Sequence, residues 1–261
     1  MVNRPLRLFL TDMQKLSMVL ATRNEEKNLG RCLASVVAIA DEIVVVDEKS
    51  TDNTVKVAKK FGAKVISVPH NDNFHITKNI AIDAASGDWI LQLDADEVVP
   101  KELAYEIKRT INSKSALSGY WLKRRNWFLT RFLAKGGQYP DLTLRLYRKG
   151  LGRLPAQDVH EQAQVDGQVG QLKNDLLHYR DRSFDHYISG FNRYSSIMAD
   201  QLQDPGIVNF LLVKPVSTFV KIYGRHRGYV DGFPGFVFAL FSGLIHPVSF
   251  IKYWQHKNYP A

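Results

Sequence analysis

The sequence predicts an α/β protein: a Rossmann-like, mostly parallel sheet with helices on both faces, plus a helical C-terminal extension. Three observations carry that expectation. The first hundred residues alternate between short apolar runs and stretches with helical spacing. Runs such as "EIVVVD" (42–47) are β-branched and apolar throughout, as in strands buried on both faces. From Lys214 onward the composition turns aromatic and basic, which marks a distinct terminal element.

Taken in order, "LSMVLAT" (16–22) reads as the first strand and "NLGRCLASVVAIA" (28–40) as an amphipathic helix. After the strand at 42–47, "STDNTVKVAKKFG" (50–62) is expected to be helical, with Ser50 a candidate cap and Gly62 a stop. "AKVISV" (63–68) is the third strand, "FHITKNIAIDAAS" (74–86) a helix, and "DWILQL" (88–93) the fourth strand. Four strands separated by helices imply right-handed crossovers and a sheet covered on both sides. Further on, 119–129 and 142–148 read as strands flanking "AKGGQYPD", 154–162 as an irregular polar segment and 183–202 as a helix. There is no repeat or low-complexity segment.

Composition narrows the function classes. Hydrophobic content of 45% with 23% charged residues is that of a folded chain. A net charge of +9 favours an anionic partner: nucleic acid, acidic lipid or a phosphorylated substrate. The single Cys32 excludes an internal disulfide framework and a zinc cluster, and fits a reducing compartment. The opening residues have too short an apolar core for a secretory signal, so the active part is expected in the cytoplasm.

In open α/β sheets, ligands bind outside the carboxyl ends of the strands. Three polar sets stand there: Thr22-Arg23-Asn24-Glu25, Asp47-Glu48-Lys49-Ser50 and Asp94-Ala95-Asp96. Asp94 and Asp96, two residues apart, are expected to share a direction if the strand's alternation continues through them. One would then accept hydrogen bonds from a sugar or ribose while the other meets a hard cation, Mg²⁺ or Mn²⁺. The plainer reading is that these acids favour the N-terminus of the helix after Pro100. Their place behind a fourth parallel strand, facing two other acidic strand ends, favours the ligand reading. Asp47 ends an apolar strand and is suited to accept hydrogen bonds from a base or ribose, while Ser50 and Asp52 also suit helix capping.

Together "VLATRNEEKNLGRCLASV", "DEIVVVDEKSTDNT", "TKNIAIDAASGDWILQLDADE" and "VHE" resemble the family-2 inverting glycosyltransferases of the nucleotide-diphospho-sugar (GT-A) fold. Within them the chain is most similar to bacterial enzymes that extend the lipopolysaccharide or lipooligosaccharide core. The likeness covers about residues 15–200, and its four ordered motifs are far more specific than any one alone. It implies that Thr22, Asn24 and Glu25 lie near the nucleotide, that Asp47 reads the base, usually uracil, and that Lys78 lies near the donor. It likewise implies that Asp94 lies by the ribose, that Asp96 is the metal-binding acid and that Glu161 is the general base, with Asp158 in reserve. His178 in "LLHYRDR" suits a contact to the metal or diphosphate as well as a core-edge position. Two departures stand out: "DEKSTD" replaces a commoner "DSGSTD", and Arg23 stands where Tyr is frequent.

The implied reaction is a metal-dependent single displacement with inversion. Mg²⁺ or Mn²⁺ at Asp96 neutralises the diphosphate, and a carboxylate takes the acceptor's proton. The resemblance points to glucose from UDP-glucose and to a lipopolysaccharide core or other lipid-linked saccharide acceptor. Alternatives are a polyprenyl-phosphate or polysaccharide acceptor, and a nonenzymatic protein that binds an anionic surface. A nucleotidylyltransferase would need a glycine-rich phosphate loop that "ATRNEEKN" lacks. Nucleic acid is not expected as a partner, because no RNA-binding motif is present and the acidic edge repels phosphate.

The expected organisation is a catalytic domain over 1–205, with a nucleotide-sugar half at about 15–110 and an acceptor half at about 111–205. A basic, aromatic helical element follows over 206–261. Its apolar stretch "GFVFALFSGLIHPVSFI" (235–251) is about as long as the shortest spanning helices. With basic and aromatic residues on both flanks, it is expected to lie on an anionic membrane, at the cytoplasmic face of the inner membrane. The plainer alternative is a buried helical hairpin or a dimer contact.

Overall fold

The first apolar run forms β1 (Leu16–Thr22), followed by α1 (Glu26–Val36), β2 (Glu42–Asp47), α2 (Thr54–Lys60), β3 (Lys64–Ser67), α3 (Phe74–Ala84) and β4 (Trp89–Gln92). The computed structural model describes residues 13–71, 73–155, 162–181 and 183–259. β2 lies parallel to β1 with Asp47 opposite Thr22, and β3 lies parallel to β2 with Ser67 opposite Asp47. β4 runs parallel to β1 on its other side, with Gln92 opposite Val19. All four strands therefore end on the same edge. Val19, Val44, Val46 and Ile90 are fully buried, which is why these segments read as apolar runs without alternation.

The helices follow their spacing. In α1 the buried residues Leu29, Cys32, Leu33 and Val36 recur at one-turn intervals, making the stripe that packs inward. α2 stops where expected, because Gly62 adopts a positive φ of 72° that other residues rarely tolerate. It begins at Thr54 rather than Ser50, whose side chain is engaged elsewhere.

Next come β5 (Glu97–Val98), α4 (Lys101–Ile111), β6 (Gly119–Phe128), β7 (Arg131–Phe132), β8 (Asp141–Arg148), β9 (Gly152–Arg153), β10 (Gln164–Val165) and β11 (Val169–Asp181). β11 was not expected from the sequence. Gly170, Asn174 and Asp175 interrupt its apolar pattern, and all three are poor strand formers. The glycine has a packing reason: a Cβ there would stand 2.9 Å from the Tyr120 ring.

Contacts group the described residues into two units. The first takes those of Met1–Ala95, Val99–Leu122 and Leu144–Asn174. Its strand order is β3-β2-β1-β4-β8-β6-β11, with β8 antiparallel to β4 and Tyr147 opposite Ile90. Val19, Val44, Ala81, Ile90 and Tyr147 build its core. Three carboxylates fasten its margins. Asp41 accepts from the Leu16 amide (2.8 Å), Glu42 from the Ser17 hydroxyl (2.5 Å) and Glu106 from the Lys173 amide (2.8 Å).

The second unit takes the described residues of Asp96–Val98, Lys123–Thr143 and Asp175–Ala261. β5 lies antiparallel to β11 with Glu97 opposite His178, and β7 is antiparallel to β6. Then follow α5 (Phe184–Asp200), α6 (Lys214–Phe219) and α7 (Gly232–Asn258), with π-helical turns Asn209–Val213 and Val220–Arg225 on either side of α6. Ser183 caps α5 by accepting from the His186 amide at 3.2 Å. Phe128, Leu133 and Val237 form a core with Tyr187, whose ring meets Phe128 edge-on at 4.8 Å.

The segment Gly228–Asn258 is long and apolar enough to cross a membrane. Within α7, however, Val237, Ala239, Gly243 and Phe250 are buried, and the helix packs on α5 and α6. A Cβ at Gly243 would stand 2.7 Å from the Pro215 carbonyl, so the missing side chain sets the closeness of α6 to α7. The stretch 235–251 thus has one face in a helical hairpin.

Candidate active site

In the first unit, the ends of β1 and β2 are tied into one polar turn. Asp47, 1% exposed, accepts from the Ser50 amide (2.9 Å), the Ser50 hydroxyl (2.5 Å) and, at 3.4 Å, the Thr22 hydroxyl. The Ser50 hydroxyl in turn accepts from the Asn24 amide (2.9 Å), and the Asn24 side chain accepts from the Thr51 amide (2.8 Å). Glu25 accepts from Asn28 at 2.6 Å, while its amide donates to the Thr54 hydroxyl at 2.7 Å. Thr22, Asn24, Glu25 and Asp47 are therefore assembled by backbone donors and short side chains. Ser50 closes this turn and does not cap α2; Asn53 occupies that position without a side-chain bond.

The departure at "DEKS" has structural counterparts. Lys49 holds a φ of 53°, a left-handed conformation that suits glycine, and Asn24 holds one of 56°. Glu48 is buried (5% exposed) and accepts from the Thr77 hydroxyl at 2.5 Å, with His70 Nδ1 at 2.6 Å. Neither His70 nor Thr77 was marked as a site residue from sequence. Glu48 lies right after the strand end, and that position was the available signal.

Asp94 pairs with Lys78 at 2.5 Å and with Arg145. Both cationic side chains are only 7% exposed. Lys78 also lies over the Phe74 ring, 4.7 Å from its centre. Lys78 and Asp94, both singled out from the sequence, are thus brought together as an ion pair. Arg145 was missed, although a charge inside the apolar run "LTLRLYR" was a signal. The Cys32 thiol lies 3.5 Å from the Asp94 carbonyl, so this buried cysteine sits under the same loop.

Strand alternation is not what places the two acids. β4 ends at Gln92, and Asp94 and Asp96 both follow it in loop and turn. Each meets its own set of partners.

In the second unit, Asp96 Oδ2 lies 3.3 Å from His178 Nε2. His178 Nδ1 lies 2.7 Å from Asn126 Oδ1. The Asn126 amide nitrogen donates to the Asp141 carboxylate (3.1 Å) and, at 3.5 Å, to the Gln138 carbonyl. Both of those groups only accept, so the amide must present its oxygen to the imidazole. His178 Nδ1 therefore carries a proton, and Nε2 is the atom turned to Asp96. Arg124 steadies the far end, donating to Asp141 at 2.8 Å and reaching the buried Glu97 at 3.4 Å.

An imidazole nitrogen and a carboxylate oxygen set face to face need a proton or a cation between them. That donor pair fits a divalent ion with open positions for phosphate oxygens. Among the described residues, no group of three or more His, Cys, Asp or Glu side chains is arranged to hold a metal ion. Glu161, Asp158 and their neighbour His160 lie outside the described residues.

A cavity of about 840 Å³ opens in the first unit between α3 and residues 149–155, lined by Asn79, Asp83, Arg153 and Asp166 among others. It shares no residue with the acidic edge.

The chain matches the model of Glycosyl transferase family 2 over residues 17–150. It is 32% identical to an uncharacterised glycosyltransferase of Rickettsia typhi, over 86% of this chain and 82% of that one. It is 28% identical to the lipopolysaccharide core biosynthesis glycosyltransferase LpsC of Rhizobium meliloti, over 94% of each chain. Among solved structures, S. aureus TarS 1-349 in complex with UDP is similar with a TM-score of 0.49 and 15% identity, over 95% of this chain and 93% of that one. The parallel order β3-β2-β1-β4, with acids after the strand ends, is the GT-A architecture that the motifs implied. The chain belongs to glycosyl transferase family 2 and is a glycosyltransferase.

Proposed function

We propose that this enzyme moves a hexose, glucose from UDP-glucose, to a lipopolysaccharide core or another lipid-linked saccharide by a single inverting displacement. The observation that carries the metal-dependent part is the pair Asp96–His178, whose imidazole is oriented by Asn126. The acceptor class follows the name of the Rhizobium meliloti relative. The donor follows the family resemblance.

Each residue has a task in this reading. The turn built by Thr22, Asn24, Glu25 and Asp47 receives the nucleotide, with Asp47 reading the base. Asp94 takes the ribose while Lys78 holds that carboxylate in place and lies near the donor phosphates. Asp96 and His178 hold Mg²⁺ or Mn²⁺. When bound, the ion neutralises the departing diphosphate. Glu161, with Asp158 in reserve, removes the proton from the acceptor hydroxyl as its oxygen attacks the anomeric carbon. The enzyme works in the cytoplasm, peripheral on the inner face of the inner membrane, where a lipid-linked acceptor is presented.

The test is UDP release from UDP-glucose by the purified protein, with and without Mn²⁺, alongside thermal midpoints with a panel of nucleotide sugars. Turnover that needs the ion and vanishes in Asp96→Ala is expected. Full activity of Asp96→Ala, or in excess chelator, overturns the metal role. A larger thermal shift with another nucleotide sugar reassigns the donor.

A further inference from the structure

The segment between α5 and α7 is apolar on two sides, and among the described residues only one of them has a partner. On the inner side Phe210 is 6% exposed, Phe219 meets the Phe236 ring at 5.8 Å, and Thr218 lies 3.1 Å from His246 of α7. On the outer side stand Val208, Leu212, Val216 and Val220, each between 57% and 63% exposed. These four are spaced by four residues. In an unbroken α-helix such a row drifts steadily round the axis. The π-helical turns on both sides of α6 bond i to i+5 and rotate less per residue, which offsets the drift and keeps the row together.

The surroundings of this row are basic. From Pro205 to Val230 there is no Asp or Glu, whereas Lys214, Lys221, Arg225 and Arg227 all fall within that span. Lys221, Arg225 and Arg227 are exposed. Beyond them Tyr229 is 50% and Phe233 72% exposed, aromatic residues of the kind that settle at a bilayer interface. A row of four exposed aliphatic side chains, left uncovered by the described residues, marks an interaction surface.

Charge selects the occupant. A two-fold pairing of identical chains would set this surface against itself, bringing the same cations together with no acid in the segment to neutralise them. A free saccharide would find an aliphatic surface with few hydrogen-bonding groups. An anionic bilayer satisfies both properties at once: its acyl boundary takes the aliphatic row and its headgroups take the lysines and arginines.

We propose that the outer face of residues 208–227 docks on an anionic lipid bilayer, lying in the headgroup plane without crossing it. The contact is thus made by this segment and by the start of α7, rather than by the stretch 235–251, which is partly buried in the hairpin. The purpose of the docking rests on the reading of a lipid-linked acceptor; the docking itself needs no acceptor.

The experiment is flotation of the full chain with vesicles. One set contains phosphatidylglycerol and phosphatidylethanolamine, the other phosphatidylcholine alone, each at low and high salt. The protein should float with the anionic vesicles, stay behind with the neutral ones, and lose binding as salt screens the headgroups. Lys221→Gln/Arg225→Gln/Arg227→Gln should lower the partition on the order of a hundredfold. Leu212→Gln/Val216→Gln should lower it at least about tenfold. Both variants change exposed side chains and should keep the parent's thermal midpoint. Equal partition of parent and variants, or indifference to lipid charge, overturns the proposal. So does a dimer in light scattering that Leu212→Gln/Val216→Gln dissolves while vesicles stay unbound. UDP-glucose turnover without vesicles is measured on the same preparations. Its absence alongside intact flotation would count against the catalytic reading and leave the docking face standing.

Discussion

His178 Nδ1 lies 2.7 Å from Asn126 Oδ1, and the amide offering that oxygen cannot turn round, because its nitrogen is held by Asp141 and the Gln138 carbonyl. Residues that orient a metal-binding histidine typically change affinity 10–100-fold when removed. Asn126→Ala should therefore weaken Mn²⁺ binding by about that factor, read from free Mn²⁺ by electron paramagnetic resonance in the presence of UDP. Unchanged affinity in Asn126→Ala would show that the imidazole needs no such guide.

Lys49 occupies a left-handed backbone position where the commoner family pattern has glycine. The conformation costs a side-chain-bearing residue roughly 1–2 kcal/mol, and glycine gives back part of that gain through its freer unfolded chain. Lys49→Gly is expected to stabilise the protein by about 0.5–1 kcal/mol, measured by urea unfolding. A loss of stability would mean that the lysine side chain has a compensating role.

Asp94 lies between two cationic side chains that are each 7% exposed. Removing one partner of a buried ion pair leaves charge behind in a poor solvent. Asp94 itself is 29% exposed, so Asp94→Asn should cost about 1–3 kcal/mol of unfolding free energy, below the full penalty of a buried pair. Adding Lys78→Met should restore part of the loss, because one stranded cation goes with it. A purely additive double variant would show that Lys78 and Asp94 do not act together.

Stability should fall in acid through three identified carboxylates. Burial pushes Asp41, Glu42 and Glu106 upward, but the hydrogen bonds they accept, together with nearby cations, outweigh it and hold each below its ordinary value. A lowered folded pKa contributes stability above the unfolded value, and that contribution is lost as pH falls through the folded one. Urea midpoints should thus hold down to about pH 4–5 and drop below it. Glu106→Gln should flatten that drop, since it removes the titrating carboxylate that accepts from the Lys173 and Asn174 amides. A pH profile identical to the parent's would remove Glu106 from the account.

Much of this was legible in the residues. The strands at 16–22 and 42–47 were readable to the residue, because burial on both faces leaves an uninterrupted apolar signature. The acids at the strand ends were legible because strand ends in a parallel sheet share one edge. β11 was hidden because its partners come from distant parts of the chain and its own residues are poor strand formers. Arg145 and Asn126 were hidden for a related reason: each is separated by about 50 residues from the group it holds.

What the sequence determined by itself was the order of elements, the acidic strand ends and the family, since each is written in local spacing and motif. Only the tertiary structure decided which groups pair with those acids. Lys78 and Arg145 meet Asp94, His178 meets Asp96, and Asn126 sets the imidazole. It also decided that α7 is half buried while the row from Val208 to Val220 is bare. The physical reason is the same in both cases. Hydrophobic periodicity says that a face is apolar, but only packing says which faces find a partner.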